Sequence, residues 1–219
     1  MLSVVMVVVH ASPAAPTVDS LLVLALAASV TRGKDRALRW PVFTDGSHLL
    51  VEAYGRAKRS PLWSRASQPT ASARRFLLAL QSVSSRGLDA RDYDVARLSA
   101  LVDSGLVTQS QQVAFDLTMS VAAVRVLHSH RFGRIDPSDA HAHLRLPRDS
   151  FELKVAFGAP VTSVTPDDLL DAAEPPCVHY LLLKRALAAY RARAISDTTV
   201  LPGVRKIELT TGQLSDMDN

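Results

Sequence analysis

The chain has 219 residues, 47% hydrophobic, 21% charged and only 5% aromatic, with a formal net charge of +4. That length and apolar content suffice for a sizeable core in one or two domains. With few aromatics, the core must rest on Leu, Val and Ala, which favours helices over sheets. The arginines are dispersed (Arg32, Arg56, Arg74, Arg91, Arg125, Arg148, Arg191), and no nucleic-acid partner is expected from such a pattern. Attraction to an anionic cell envelope explains the same charge. The single cysteine, Cys177, excludes an intrachain disulfide and a cysteine-only metal site.

The amino terminus is apolar from Leu2 to Val9, and Val9-x-Ala11 fits the small-residue pattern of an export cleavage site, without the usual basic residues before it. A second apolar stretch, Leu21 to Val30, is too short to span a bilayer and is followed by Thr31-Arg32-Gly33-Lys34-Asp35-Arg36. Residues 1–36 are therefore expected to be a flexible signal-like or anchor segment with its linker. Membrane contact is expected only through that segment, if it stays uncleaved.

From about Asp45 the pattern is helix after helix. Ser47 to Arg59 carries Leu49, Leu50, Ala53 and Tyr54 and breaks at Ser60-Pro61. Thr70 to Ser85 places Phe76, Leu77, Leu80 and Val83 on one helical face, and Gly87 suits the left-handed position past its end. Asp89 reads as the cap of a short helix through Leu98 and Leu101. Thr108-x-x-Gln111 is a capping-box pattern opening the longest helix, whose Val113, Leu117, Val121, Val124 and His128 share a face and which Gly133 closes. Thr165-Pro166-Asp167-Asp168 starts another. A last helix, Val178 to Ala194, shows Tyr180, Leu183, Leu187 and Tyr190 on one face. The only strand-like run, Phe157 to Val164, is interrupted by Gly158 and Pro160. The fold class expected is all-α, an irregular multi-helix bundle.

No catalytic constellation emerges: there is no Gly-x-Ser-x-Gly, no Ser-x-x-Lys with its companions and no Gly-rich phosphate loop. Cys177 and His179 are two apart, a spacing that does not bring side chains together on a helix, so an inert cysteine is favoured over a cysteine-dependent transferase. His128 and His130, then His141 and His143, form two His-x-His pairs. One helical pair cannot chelate, and the second has no acidic partner at metal-site spacing, so no metal or cofactor is expected. Arg134 is expected to neutralise the carboxyl end of the preceding helix, with Asp136 before Pro137 forming a turn or cap. Trp40 and Trp63 read as large apolar anchors in the core or at a domain contact.

Several elements in order resemble the scaffold domain of large L,D-transpeptidases. They are Arg39-Trp40-Pro41-x-Phe43, Tyr54 and Pro61-Leu62-Trp63; Arg86-Gly87-Leu88-x-x-x-Asp92-Tyr93; Gly133-Arg134-Ile135-Asp136-Pro137; and Glu174-Pro175-Pro176 with Tyr180, Leu183, Ala186-Leu187 and Tyr190-Arg191. The resemblance covers roughly residues 37–203, leaving 204–219 as a polar tail in which Thr211-Gly212-Gln213-Leu214 is similar to the start of a following module. It implies a helical scaffold that in the family precedes a peptidoglycan-binding module and a catalytic domain forming 3-3 cross-links in the bacterial periplasm. The family's nucleophile lies in a Ser-x-Gly-Cys setting that these 219 residues do not contain, and near Leu144 an aliphatic residue stands where the family often carries Trp. The expectation is a non-catalytic module in the periplasm or cell envelope, its partners peptidoglycan or a catalytic L,D-transpeptidase domain. A free-standing peptidoglycan- or protein-binding module is the alternative.

Overall fold

The computed structural model describes residues 18–57, 60–135 and 165–196. Within them lie seven α-helices: α1 (Val18–Arg32), α2 (Thr44–Arg56), α3 (Ala71–Gln81), α4 (Val95–Asp103), α5 (Gln109–Phe132), α6 (Pro166–Ala172) and α7 (Val178–Ser196). Two 3-10 turns, Val83–Arg86 and Ala90–Tyr93, and a two-stranded antiparallel hairpin, β1 (Ser64–Arg65) with β2 (Gln68–Pro69), complete the order. The fold is all-α. The strand-like run at 157–164, the His141/His143 pair, Leu144, the tail at 204–219 and residues 1–17 lie outside the described residues.

The bundle is organised by α5. Its middle is buried on all sides, as befits a helix surrounded by others; Phe115, Leu117, Met119, Val121, Ala122, Ala123, Val126 and Leu127 are all buried, with Asp116, Thr118 and Ser120 among them. Helices α1, α2 and α4 pack around it, and α3 packs between α4 and α6. The start of α5 is a complete capping box: the Gln111 amide N–H donates to Thr108 Oγ1 at 3.2 Å, and the Thr108 amide N–H donates to Gln111 Oε1 at 2.8 Å. Thr165 caps α6 in the same way, accepting from Asp168 N at 3.2 Å with Pro166 at the first helical position.

Several sequence expectations need correction. Residues 18–32, expected in a flexible leader, form α1, whose Leu26 and Val30 are buried in the common core. The single helix expected from Thr70 to Ser85 ends at Gln81. There the Ser82 hydroxyl donates back to the Ala79 carbonyl at 2.9 Å, and the chain tightens into the first 3-10 turn. Phe76, Leu80 and Val83 stay buried across that break, and Gly87 closes it at φ +84°, a left-handed position that suits glycine. Asp89 caps only the second 3-10 turn, and α4 starts after Asp94, itself left-handed. His128 is exposed, off the buried face on which the periodicity placed it. On α7, Tyr180 and Leu187 are half-buried, but Leu183 and Tyr190 are exposed.

Of the buried acidic side chains among the described residues, Asp92 and Asp116, the second is fully enclosed. Asp116, on α5, has no exposure to solvent, and its two oxygens accept five hydrogen bonds. Oδ1 takes the Leu62 N–H at 2.8 Å and the Tyr54 hydroxyl at 2.9 Å. Oδ2 takes the Trp63 N–H at 3.1 Å, the Ser64 N–H at 3.0 Å and the Ser64 hydroxyl at 2.9 Å. Ser120, one turn on, accepts from the Trp63 indole N–H at 2.8 Å and lies 2.9 Å from Tyr54 Oη. Tyr54 has one proton, given to Asp116, so Ser120 is the donor to Tyr54. Burial pushes the Asp116 carboxyl above the ordinary carboxylate range, and its donors pull against that. Burial, reinforced by the Asp116 charge, holds the Tyr54 phenol well above its ordinary value. Trp63, 1% exposed, is thereby seated against Phe76 with ring centroids 5.4 Å apart. Replacing Asp116 by Ala strands several buried donors at once. The expected loss is about 3–5 kcal/mol of unfolding free energy, read from the urea midpoint; Ser120→Ala is expected to cost about 1–2 kcal/mol.

Candidate functional site

Of the residues singled out by their resemblance, Tyr54, Leu62 and Trp63 surround Asp116, while Arg39, Asp92, Arg134, Arg86 and Glu174 gather at two ion-pair knots near the carboxyl end of α5. In the first, Gly133 ends the helix at φ +86° and ψ 174°, a conformation essentially reserved for glycine. The turn delivers Arg134, which does not serve only the helix end as expected. Its Nη1 pairs with Asp92 Oδ2 at 2.8 Å, while Arg39 Nε approaches Oδ1 of the same carboxylate at 3.3 Å. Next to it, the Arg39 N–H donates to Asp94 Oδ1 at 2.7 Å. Arg125 donates to the carbonyls of Trp40 at 2.5 Å and Val42 at 2.9 Å. Tyr93 lies in the core, its phenol pushed up by burial. Asp136 and Pro137 lie outside the described residues.

The second knot surrounds Glu174, between α6 and α7. Its Oε1 pairs with Arg86 Nη1 at 2.6 Å and with Lys184 Nζ, and His130 Nε2 stands 3.9 Å away. Arg86 also reaches Asp171 at 2.5 Å, Arg131 donates to the Glu174 carbonyl at 2.9 Å, and Arg191 donates to the Ser84 carbonyl. The Tyr180 hydroxyl meets His130 Nε2 at 2.7 Å; burial and then the Glu174 charge push that phenol up to about 12, so it keeps its proton. Burial pushes the His130 pKa below its ordinary 6.5, the positive charge of Arg86 adds to the effect, and Glu174 opposes it. His130 is thus a neutral interior histidine that joins α5 to α7.

The structure separates the two tryptophans that the sequence treated alike. Trp63 is core; Trp40 is 48% exposed, so it is no core anchor. Cys177 is exposed just before α7. Among the described residues, no group of three or more His, Cys, Asp or Glu side chains is placed to hold a metal ion, and no helix is long and apolar enough to cross a membrane. Asp116 and Ser120 were missed by sequence reasoning. The available signal was a carboxylate and hydroxyls inside the apolar run Val113 to Val124, where an unpaired charge would be prohibitive.

The geometry is that of a frame whose charged motif residues neutralise one another, and residues 48–187, more than half of the chain, match the scaffold-domain family. The chain belongs to that family. This agrees with the scaffold domain of L,D-transpeptidases. No curated protein and no solved structure matches the chain. The scaffold-domain match begins in α2 and ends in α7, so it includes both Asp92 and Glu174 and leaves out α1 and the loop carrying Trp40.

The two knots are expected to respond differently to perturbation. Glu174→Ala leaves Arg86 and Lys184 facing each other and should cost about 2–4 kcal/mol in urea unfolding, with protease cleavage appearing first in α7. The pH effect of His130 has a definite sign. Its pKa is lowered in the fold, so below about 6.5 the unfolded chain takes up a proton that the folded chain refuses, and stability falls with pH. Denaturation midpoints should therefore drop as the pH falls below about 6.5, and His130→Gln should flatten that drop.

Proposed function

We propose that this scaffold domain is a non-catalytic module of an L,D-transpeptidase-like protein, exported to the periplasm or cell envelope. There it serves peptidoglycan cross-linking and wall remodelling by holding a catalytic domain or partner in place. The observation that carries the reading is the family match over residues 48–187, whose charged signature residues Asp92, Arg134, Arg86 and Glu174 are engaged with one another. Groups committed to mutual neutralisation build a frame and leave no unpaired acid, base or nucleophile among them. The outer side of α7 supports the partner half of the reading. Val178, Leu181, Leu182 and Leu183 are exposed there, side chains of the kind that interfaces bury.

Two measurements test it. The purified chain, mixed with insoluble sacculi and pelleted, is expected to be retained at low salt and progressively released as salt rises; absence of retention at low salt removes direct peptidoglycan contact. Incubated with muropeptides, the chain is expected to give no cross-linked or hydrolysed product. Turnover that disappears in Cys177→Ser would overturn the non-catalytic reading.

A further inference from the structure

The loop between α1 and α2 lies outside the residues that match the scaffold-domain family. It folds as a tight hairpin: the Phe43 N–H donates to the Gly33 carbonyl at 2.9 Å, the Asp35 N–H donates to the Pro41 carbonyl at 2.8 Å, and Lys34 and Val42 form an antiparallel bridge. Leu38 plugs the tip into the core at 3% exposure. From outside, Arg125 clamps the Trp40 and Val42 carbonyls, and Asp94 holds the Arg39 amide. A loop fixed at so many points presents its side chains rigidly. What it presents is an indole open to solvent.

The Arg39 guanidinium lies over the Trp40 ring at 5.7 Å, and the same guanidinium shares Asp92 with Arg134. Trp40, Arg39 and Arg134 are therefore one continuous surface, with both arginine side chains about half exposed. Asp92 offsets one of the two positive charges; Asp89 and Asp94 also face Arg39 but are paired with Arg91 and Arg125. At the base of the hairpin, Ser29, Arg32, Lys34, Asp35 and Arg36 line an open cleft of about 480 Å³, three cations against one carboxylate. An indole held rigidly at the surface offers an apolar face to a ligand at little ordering cost, and the cationic rim favours a ligand that carries negative charge.

We propose that this hairpin is a binding site for an acidic glycopeptide, the sugar stacking its C–H face on Trp40 and a carboxylate pairing with Arg39 and the neighbouring cations. This inference rests on the peptidoglycan reading above and names the part of the chain that makes the contact. Stacking on a fixed indole costs little ordering, and guanidinium forks match carboxylates. Neither component needs a deep pocket.

The chain has two tryptophans, which makes the test direct. In nitrogen-15 NMR, the Trp63 indole N–H, buried and bonded to Ser120, serves as the internal reference. Titration with a soluble disaccharide-peptide carrying free carboxylates should move the Trp40 indole signal saturably and leave Trp63 still. A neutral N-acetylglucosamine oligomer should bind about fivefold more weakly. Trp40→Ala should weaken the interaction about tenfold or more, read from the backbone signals of the hairpin, while Trp40→Phe restores most of it. A Trp40 signal that does not move, or equal affinity for the neutral oligomer, overturns the site. The sacculus assay separates the two proposals: equal retention of wild type and Trp40→Ala sinks this site alone, whereas loss of retention by both sinks direct peptidoglycan contact as well.

Discussion

A carboxylate with no access to water, Asp116, is the constraint on which the bundle depends. Burying an ion costs several kcal/mol unless every lone pair finds a donor, and here five donors converge from two other parts of the chain. The three consecutive amides of Leu62, Trp63 and Ser64 meet it only in one local conformation, and Tyr54 reaches it only if α2 crosses α5 at one register. The residue therefore contributes more to uniqueness than to net stability. A hydrophobic residue of similar size would fill the space, but it would specify neither the path of 62–64 nor the seat of Trp63.

That arrangement also accounts for a hairpin the sequence does not announce. The two-residue turn Ala66-Ser67 has both residues at positive φ, a geometry normally occupied by Asn-Gly. Ala there is strained by roughly 1–3 kcal/mol. The strain is tolerated because the flanking strand is already held by Asp116 at Ser64, and because Gln112 on α5 donates to the Ser67 hydroxyl at 3.0 Å. Tertiary bonds impose the turn, so local composition could not reveal it.

The same division runs through the rest of the molecule. Thr108, Thr165 and Gly87 were legible because a cap is chemistry between neighbours within four residues. Which tryptophan is buried was not legible, because the decision rests with Ser120, 57 residues from Trp63. His128 and His130 differ for a similar reason. Only His130 faces Tyr180, 50 residues on, and nothing in the His-x-His spacing distinguishes them. Arg134 could be placed at the end of α5 from sequence, but its partner Asp92 lies on a separate 3-10 turn. The signature residues were thus recognisable by resemblance, while their purpose as joints between elements appeared only in three dimensions.

Those joints are of two kinds, and the difference bears on what a scaffold can do. Around α5 the elements are joined by close packing and by Asp116, interactions out of reach of solvent ions. Helix α7 is joined otherwise: Tyr180 and Lys184 reach His130 and Glu174, the exposed Arg191 donates to the Ser84 carbonyl, and Leu182, Leu183 and Tyr190 are left exposed. The helix thus lacks the usual amphipathic arrangement, in which one apolar stripe faces the core: Leu187 is half-buried while other leucines stay exposed. The orientation of α7 therefore depends on partly desolvated charge, which weakens with acid and with salt, and its exposed leucines remain available for burial elsewhere. A frame built this way can keep its centre rigid while its last helix answers to the conditions outside. The proposed role, positioning a catalytic domain or partner, calls for that property.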